Sequence, residues 1–233
     1  MNKYLLGVII VIILYMVYSY FFKDHTSANL VGMHNAKQKL RIEHTSLPGN
    51  SSSVDFTFSI WLYINDWNYR YGDEKIILIR QDVNGNSNPR IYLANTTNDL
   101  HVDIQCYDND YNDSPTLHTC SVKNIKMQKW VHVVTVVNNR TLDIYVDGKL
   151  VRTCLLPGVP KLDNEADISI TPEDGFSGFT SNIEFYNYVL NPQDVWDIYS
   201  RGYGGSLLGN ILGRYRAKLS FYEDNVETSS LNF

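Results

Sequence analysis

An acidic stretch, C-Y-D-N-D-Y-N-D-S, sets Asp108, Asp110 and Asp113 close together, with Asn109 and Asn112 between them. Hard oxygen donors spaced this way on one loop are the ligand type that Ca²⁺ takes. The same residue types also favour a solvated turn. The loop lacks the central Gly and final Glu of an EF-hand, so both readings stand, and calcium is the one cofactor the sequence offers. A second group is aromatic. Trp67, Tyr69 and Tyr71 alternate with Asn68 and Arg70, and Tyr107 and Tyr111 flank the acidic stretch. Exposed rings beside amides and charges suit stacking on a sugar or a protein interface. The alternative is that they pack against the edge of the domain.

Catalysis has less support. Glu184 stands in N-I-E-F-Y with no acidic residue two positions away. The strand therefore offers no pair of carboxylates at the separation of about 5 Å that a retaining glycosidase requires. His118 and Cys120 share a strand face, but His101 and Cys106 have opposite parity and point apart, which leaves no zinc set. His132 sits inside an apolar run and reads as a hydrogen-bonded structural residue. The sequence has no H-E-x-x-H, no G-x-S-x-G and no Gly-rich loop ahead of a helix. The expectation is a protein that is not an enzyme.

The elements that must carry these residues are mostly strands. Asp55–Asn65 alternates Phe56, Phe58, Ile60, Leu62 and Ile64 with Thr57, Ser59, Trp61 and Tyr63. Period two with bulky residues on both faces predicts a central strand. Further strands are expected near Lys39–Glu43 and at Lys75–Gln81, Arg90–Ala94, Leu100–Tyr107, Leu117–Lys123, Trp130–Val137, Thr141–Val146, Lys149–Leu155, Ala166–Thr171 and Phe179–Tyr188. Asp147-Gly148 suits a hairpin turn with positive φ. One helix follows, capped by Asn191 with Pro192 in its first position and stopped by Gly202. Many short strands with regular turns imply an all-β sandwich or jelly roll.

Ahead of these strands, residues 4–22 carry no charge. At about 1.5 Å per residue they would reach roughly 28 Å, close to a bilayer's hydrocarbon core of about 30 Å. The run is longer than a signal-peptide core, and Tyr20-Phe21-Phe22 stands where a cleavage site needs small residues. A transmembrane helix is expected, with the lipid bilayer as its partner. Lys23, Lys37, Lys39 and Arg41 follow the run, against Lys3 and the α-amine before it, which mildly favours a cytosolic sandwich. The net charge of −5 and the absence of a basic stripe argue against nucleic acid. Cys106, Cys120 and Cys154 are an odd count. A Cys106–Cys120 pair across a hairpin and buried free thiols in a reducing compartment are both open. Sequons occur at Asn50, Asn95, Asn112 and Asn139, in a chain so rich in Asn, Ser and Thr that chance accounts for about that many.

Four segments in order resemble the laminin-G-like, concanavalin A-like lectin/glucanase superfamily. They are F-T-F-S-I-W-L-Y-I (56–64), K-I-I-L-I-R (75–80), W-V-H-V-V-T-V-V-N-N-R-T-L-D-I-Y-V-D-G-K-L-V (130–151) and G-F-S-G-F-T-S-N-I-E-F-Y-N-Y-V-L-N-P-Q-D-V (175–195). The resemblance implies two antiparallel sheets of jelly-roll topology. Glucanases of that group carry E-x-D-x-E on one strand, and this chain has no such triplet. The anchor, W-L-Y-I-N-D-W-N-Y and the tail R-Y-R-A-K-L-S-F-Y (214–222) are similar to proteins of large icosahedral DNA viruses with an internal membrane. That similarity implies a minor capsid protein, on the cytosol-derived side of the virion membrane and beneath the shell, with other capsid proteins as partners.

The tail supports assembly on its own residues. After Gly202, Gly204 and Gly205, Leu207, Leu208, Ile211 and Leu212 form an apolar patch. Tyr215, Ala217, Leu219 and Phe221 then alternate as one face of a strand, which could add to a neighbour's sheet edge or pack back on its own domain. The expected organisation is a flank at 1–3, a transmembrane helix at 4–22, a connector at 23–38, a concanavalin A-like β-sandwich at 39–202 and a Gly-hinged extension at 203–233. The alternative function is a membrane-anchored glycan-binding module.

Overall fold

The computed structural model describes residues 11, 13, 14, 26–49, 54–83, 85–107, 116–204, 218–223 and 226–232, the last two segments as backbone only. The expected span 4–22 lies outside the described residues apart from Val11, Ile13 and Leu14. Among the described residues no helix is long and apolar enough to cross a membrane.

Alternation built the prediction of strands, and it also sorts them into layers. A seven-stranded sheet runs β1 (Ser27–Val31), β13 (Ser177–Tyr186), β4 (Phe56–Asp66), β9 (Trp130–Asn138), β10 (Thr141–Val146) and β11 (Lys149–Leu155), with the short β2 (His34–Asn35) also on β13. A six-stranded sheet runs β3 (Leu40–Ile42), β12 (Asp167–Ile170), β5 (Lys75–Gln81), β6 (Ser87–Leu93), β7 (Leu100–Cys106) and β8 (Thr116–Val122). Every described pairing is antiparallel. The inner faces meet in one core. Phe56, Phe58, Ile60, Leu62 and Ile64 of β4 face Ile91 and Leu93 of β6 and Leu100, Val102 and Ile104 of β7 in the same buried cluster.

The outer face of the seven-stranded sheet is covered as well. The helix α1 (Pro192–Arg201) buries Val195 and Ile198 against Val134, Val136, Tyr145 and Tyr186. Its start is fixed as the sequence implied: the Asn191 side chain accepts from the Gln193 and Asp194 N–H groups, and Asp194 returns a bond to the Asn191 N–H. This cover explains why β9 is apolar on both faces: Val131, Val133 and Val137 face the core between the sheets, and Val134 and Val136 face the helix.

The structure bears out the turn reading and adds a close backbone approach at Gly178. Asp147 and Gly148 both have positive φ, at 50° and 75°, as a tight two-residue hairpin requires. At Gly178 a Cβ would stand 1.9 Å from the Tyr63 carbonyl oxygen of β4. Gly178→Ala is therefore expected to destabilise the fold by about 3 kcal/mol, the upper end of overpacking costs. Gly32→Ala, where nothing lies within 4 Å, is expected to stay within about 0.5 kcal/mol of the parent. Urea denaturation of the pair measures the difference.

The structure departs from the sequence reading at the margins. The segment read as connector contributes β1 and β2, recruited by the open edge of β13. β6 begins earlier than expected, across Pro89. Cys106 and Cys120 do not pair. Register places Cys106 opposite Thr116 and Cys120 opposite Val102, four rungs and roughly 13 Å apart. Cys120 is instead bonded to Cys154 of β11, which joins the edge strands of the two sheets, and Cys106 is free and buried. The tail forms a hairpin of β14 (Lys218–Glu223) and β15 (Val226–Asn232), with Leu219 opposite Leu231 and Phe221 opposite Ser229. Leu207, Leu208, Ile211, Leu212 and Tyr215 lie outside the described residues.

Candidate functional site

Three loops meet at one end of the sandwich: the β4–β5 loop carrying Trp67, the β6–β7 loop at 94–99, and the β8–β9 loop at 123–129. They enclose a groove of about 560 Å³ lined by Trp67, Thr96, Thr97, Asn98, Asp99, Lys123, Asn124 and Met127. Local bonds set each wall. Asp99 accepts from the Asn124 N–H at 3.0 Å and from the Thr97 hydroxyl at 3.1 Å. The Asn98 side chain donates to the Ile125 carbonyl at 2.9 Å, and the Ile125 N–H donates back to the Asn98 carbonyl at 2.8 Å. Trp67 is half-buried against the core. Beneath it Lys75, buried at the start of β5, places its ammonium 4.5 Å over the indole. That ammonium also donates to the Arg70 and Asp73 carbonyls. Burial and the neighbouring Arg70 lower the Lys75 pKa. Lys123 makes no ion pair among the described residues.

The groove continues. A trough of about 500 Å³ shares Lys123 and Asn124 and reaches Val151 and Arg152 of β11. A third hollow of about 420 Å³ extends it past Lys149 to Trp196, which is 46% exposed on α1. One rim of an acidic protein is thus an open channel with an aromatic ring, amides and hydroxyls at one end and cations over an apolar floor at the other.

The aromatic residues singled out in the sequence do not converge. Trp67 lines the groove. Tyr69 lies under the Lys37 ammonium at 4.3 Å, and Tyr71 is 61% exposed on the same loop. Tyr107 follows β7, whereas the 94–99 loop precedes it, so Tyr107 stands at the opposite end of the sandwich, roughly 20 Å away along a strand of this length. Grouping it with Trp67 is corrected by that topology. Tyr111 and the candidate calcium ligands Asp108, Asp110 and Asp113 lie outside the described residues. Among the described residues no group of three or more His, Cys, Asp or Glu could hold a metal.

Two polar clusters lie away from the groove; the first had no signal in the sequence beyond strand parity, and the second bears out His132 as a hydrogen-bonded structural residue. On the outer face of the six-stranded sheet, buried Asp103 accepts from the Thr119 hydroxyl at 2.7 Å and pairs with Arg90 at 3.3 Å. Arg90 also pairs with Glu74 and lies 4.2 Å over the Tyr92 ring, which stacks on His101. Burial, with Asp103 nearby, pushes the Tyr92 pKa up to about 12. These groups satisfy one another, and none of them lines the rim channel. The second cluster pairs Ser59 Oγ with His132 Nε2 at 2.9 Å. That distance suits a nucleophile and its base, but His132 is fully buried, is stacked against Trp61, and leaves Nδ1 without a partner. No substrate reaches it. Glu184 accepts from the Tyr186 hydroxyl at 2.6 Å.

A laminin-G-type family model, described as the concanavalin A-like lectin/glucanases superfamily, matches residues 35–196. The chain belongs to that superfamily. Among curated proteins no sequence matches. Solved structures share the superfamily fold at low identity. The botulinum neurotoxin serotype D ligand binding domain in complex with N-acetylneuraminic acid is 13% identical, with a TM-score of 0.58 over 75% of this chain and 43% of that one. The receptor binding domain of the botulinum neurotoxin C/D mosaic serotype is 12% identical, with a TM-score of 0.57 over 75% and 44%. The botulinum neurotoxin DC binding domain in complex with rat synaptotagmin II is 17% identical, with a TM-score of 0.50 over 63% and 35%. The chain spans less than half the length of these neighbours.

Proposed function

We propose that this superfamily domain is a non-catalytic, lectin-like binding module held at a membrane by its N-terminal segment, and that its ligand lies in the rim groove beside Trp67. The groove carries the reading. It sets an aromatic side chain beside threonine hydroxyls, two amides and a carboxylate, the mixture that recognises a saccharide by stacking and hydrogen bonds. Small-ligand sites of this kind are concave and carry a few fixed polar groups, and here the polar groups are held in place by the bonds to Asp99 and Ile125. Neurotoxin domains that share the fold over less than half of their length are solved in complex with N-acetylneuraminic acid and with synaptotagmin II, which supports a binding role without placing a ligand on the shared part.

A glycan array on the ectodomain is the test. Selective binding is expected, falling at least about tenfold, or about 1.4 kcal/mol, in Trp67→Ala. Because Trp67 also packs on the core, Thr96→Trp gives an independent readout: it leaves the packing intact and fills the groove, and the same loss is expected. Binding that survives both substitutions places the ligand elsewhere.

The hairpin favours a second reading, a virion minor capsid protein joining an internal membrane to the shell. Beyond their mutual ladder, β14 and β15 pair with no other described strand, and such edges add readily to a neighbour's sheet. Deleting residues 203–233 should leave a folded sandwich that no longer enters the assembly. Unchanged incorporation sinks this reading.

A further inference from the structure

We propose that the sandwich matures on the oxidising side of a membrane, with the Cys120–Cys154 bridge closed during folding and Asn139 serving as an N-glycan acceptor. Three observations converge. The first is the bridge, which joins the edge strands of the two sheets and has no competing partner. Cys106 is fully buried, burial pushes its thiol pKa up, and the Tyr107 carbonyl closes over Gly158 beside it. A structural bridge of this kind persists in secretory and extracellular compartments and is rare where glutathione keeps thiols reduced. Closing it takes two protons and two electrons from the two thiols. The disulfide form of a protein-dithiol oxidoreductase accepts them and leaves as a dithiol.

The second observation removes the argument for a cytosolic sandwich. Of the cations that follow residues 4–22, Arg41 lies in β3 and pairs with Asp167 of β12, and the Lys37 ammonium lies over the Tyr69 ring. Lys39 directly precedes β3. These charges belong to the folded domain, and domains translocate largely regardless of charge. What remains is Lys3 against Lys23, one cation on each side, which favours neither face.

The third observation is the sequon Asn139-Arg140-Thr141. Asn139 occupies the tip of the β9–β10 turn, exposed, with φ 49°. Asn95 is exposed as well, but it stands on the loop that walls the groove, its carbonyl accepting from the Gly72 N–H, whereas Asn139 stands at the far end of β9. Asn50 and Asn112 lie outside the described residues.

The test expresses the full chain in cultured eukaryotic cells, prepares sealed membrane vesicles, and reads protease protection, thiol alkylation after denaturation without reductant by mass spectrometry, and sensitivity to N-glycosidase. The expected result is a sandwich digested only after detergent, one alkylatable cysteine, and a glycosidase-sensitive mobility shift that Asn139→Gln abolishes. Digestion in sealed vesicles, or three alkylatable cysteines, overturns the proposal. A protected, bridged domain without the shift overturns the assignment of Asn139.

Discussion

Acidification from pH 7 to pH 4.5 is expected to cost the fold about 3 kcal/mol, through His132 alone. The ring is fully buried between Trp61 on β4 and Tyr199 on α1, with centroids at 4.8 and 6.0 Å. Its partner Ser59 is neutral. Asp147, whose carboxylate accepts from the His132 backbone N–H at 3.1 Å, favours the charged form of the ring, and Arg201 opposes it. Burial dominates and lowers the pKa from 6.5 to about 3. The unfolded chain binds this proton below pH 6.5, whereas the folded chain does not until about pH 3. Stability is therefore complete above the unfolded value and falls as pH drops through the window between the two. Urea denaturation at pH 7 and pH 4.5 measures the loss. His132→Gln, which keeps a hydrogen-bonding group for Ser59, should flatten the slope. An equal slope in the variant would assign the acid sensitivity to the carboxylates instead.

Opening the Cys120–Cys154 bridge is expected to cost about 4 kcal/mol. The bridged residues are 34 apart in sequence, and the chain-entropy relation for a loop of that length gives that figure. In a domain of this size the melting temperature should fall by roughly 10 °C. The double variant Cys120→Ala/Cys154→Ala avoids new pairing with Cys106, and its midpoint against the oxidised parent reads the cost. A difference below about 1 kcal/mol would mean that hydrogen bonding and packing alone hold β8 and β11 together, and that the bridge contributes little to the closed side of the sandwich.

Alternation made most of the framework legible. Lys75–Gln81, Thr141–Val146 and Lys149–Leu155 appear at the bounds the sequence implied, because each is bounded by turn residues, among them Asp147-Gly148 between the last two and Pro157-Gly158 beyond them. Gly178, a small residue between Ser177 and Phe179 within a strand, marks the close backbone approach to Tyr63. β1 was not legible: S-A-N-L-V has little apolar contrast, and it is a strand because β13 offers an edge to pair with. The Cys120–Cys154 bond was not legible either, since it depends on which strands end as the edges of two different sheets. The groove was half visible. Trp67 announced itself by type, but Thr96–Asp99 and Asn124 are ordinary loop residues until the sandwich closes and brings three loops to one end. Tyr107 carried the same aromatic signal as Trp67, and β7 separates them by its full length.

The compartment and the function now bear on each other. A sandwich on the oxidising face suits a module that meets ligands outside the cytosol, whereas the capsid reading requires the cytosol-derived face. Protease protection of the full chain therefore divides the two readings as well as testing the inferred topology.

The groove itself is tested most directly by amide chemical-shift mapping of the ectodomain, titrated with the saccharide that binds best on the array. The account predicts shifts concentrated at Thr96–Asp99 and Asn124–Met127, with the indole N–H of Trp67 moving at the same concentration. Shifts centred on Arg90, Asp103 and Thr119, or none at saturation, would contradict it.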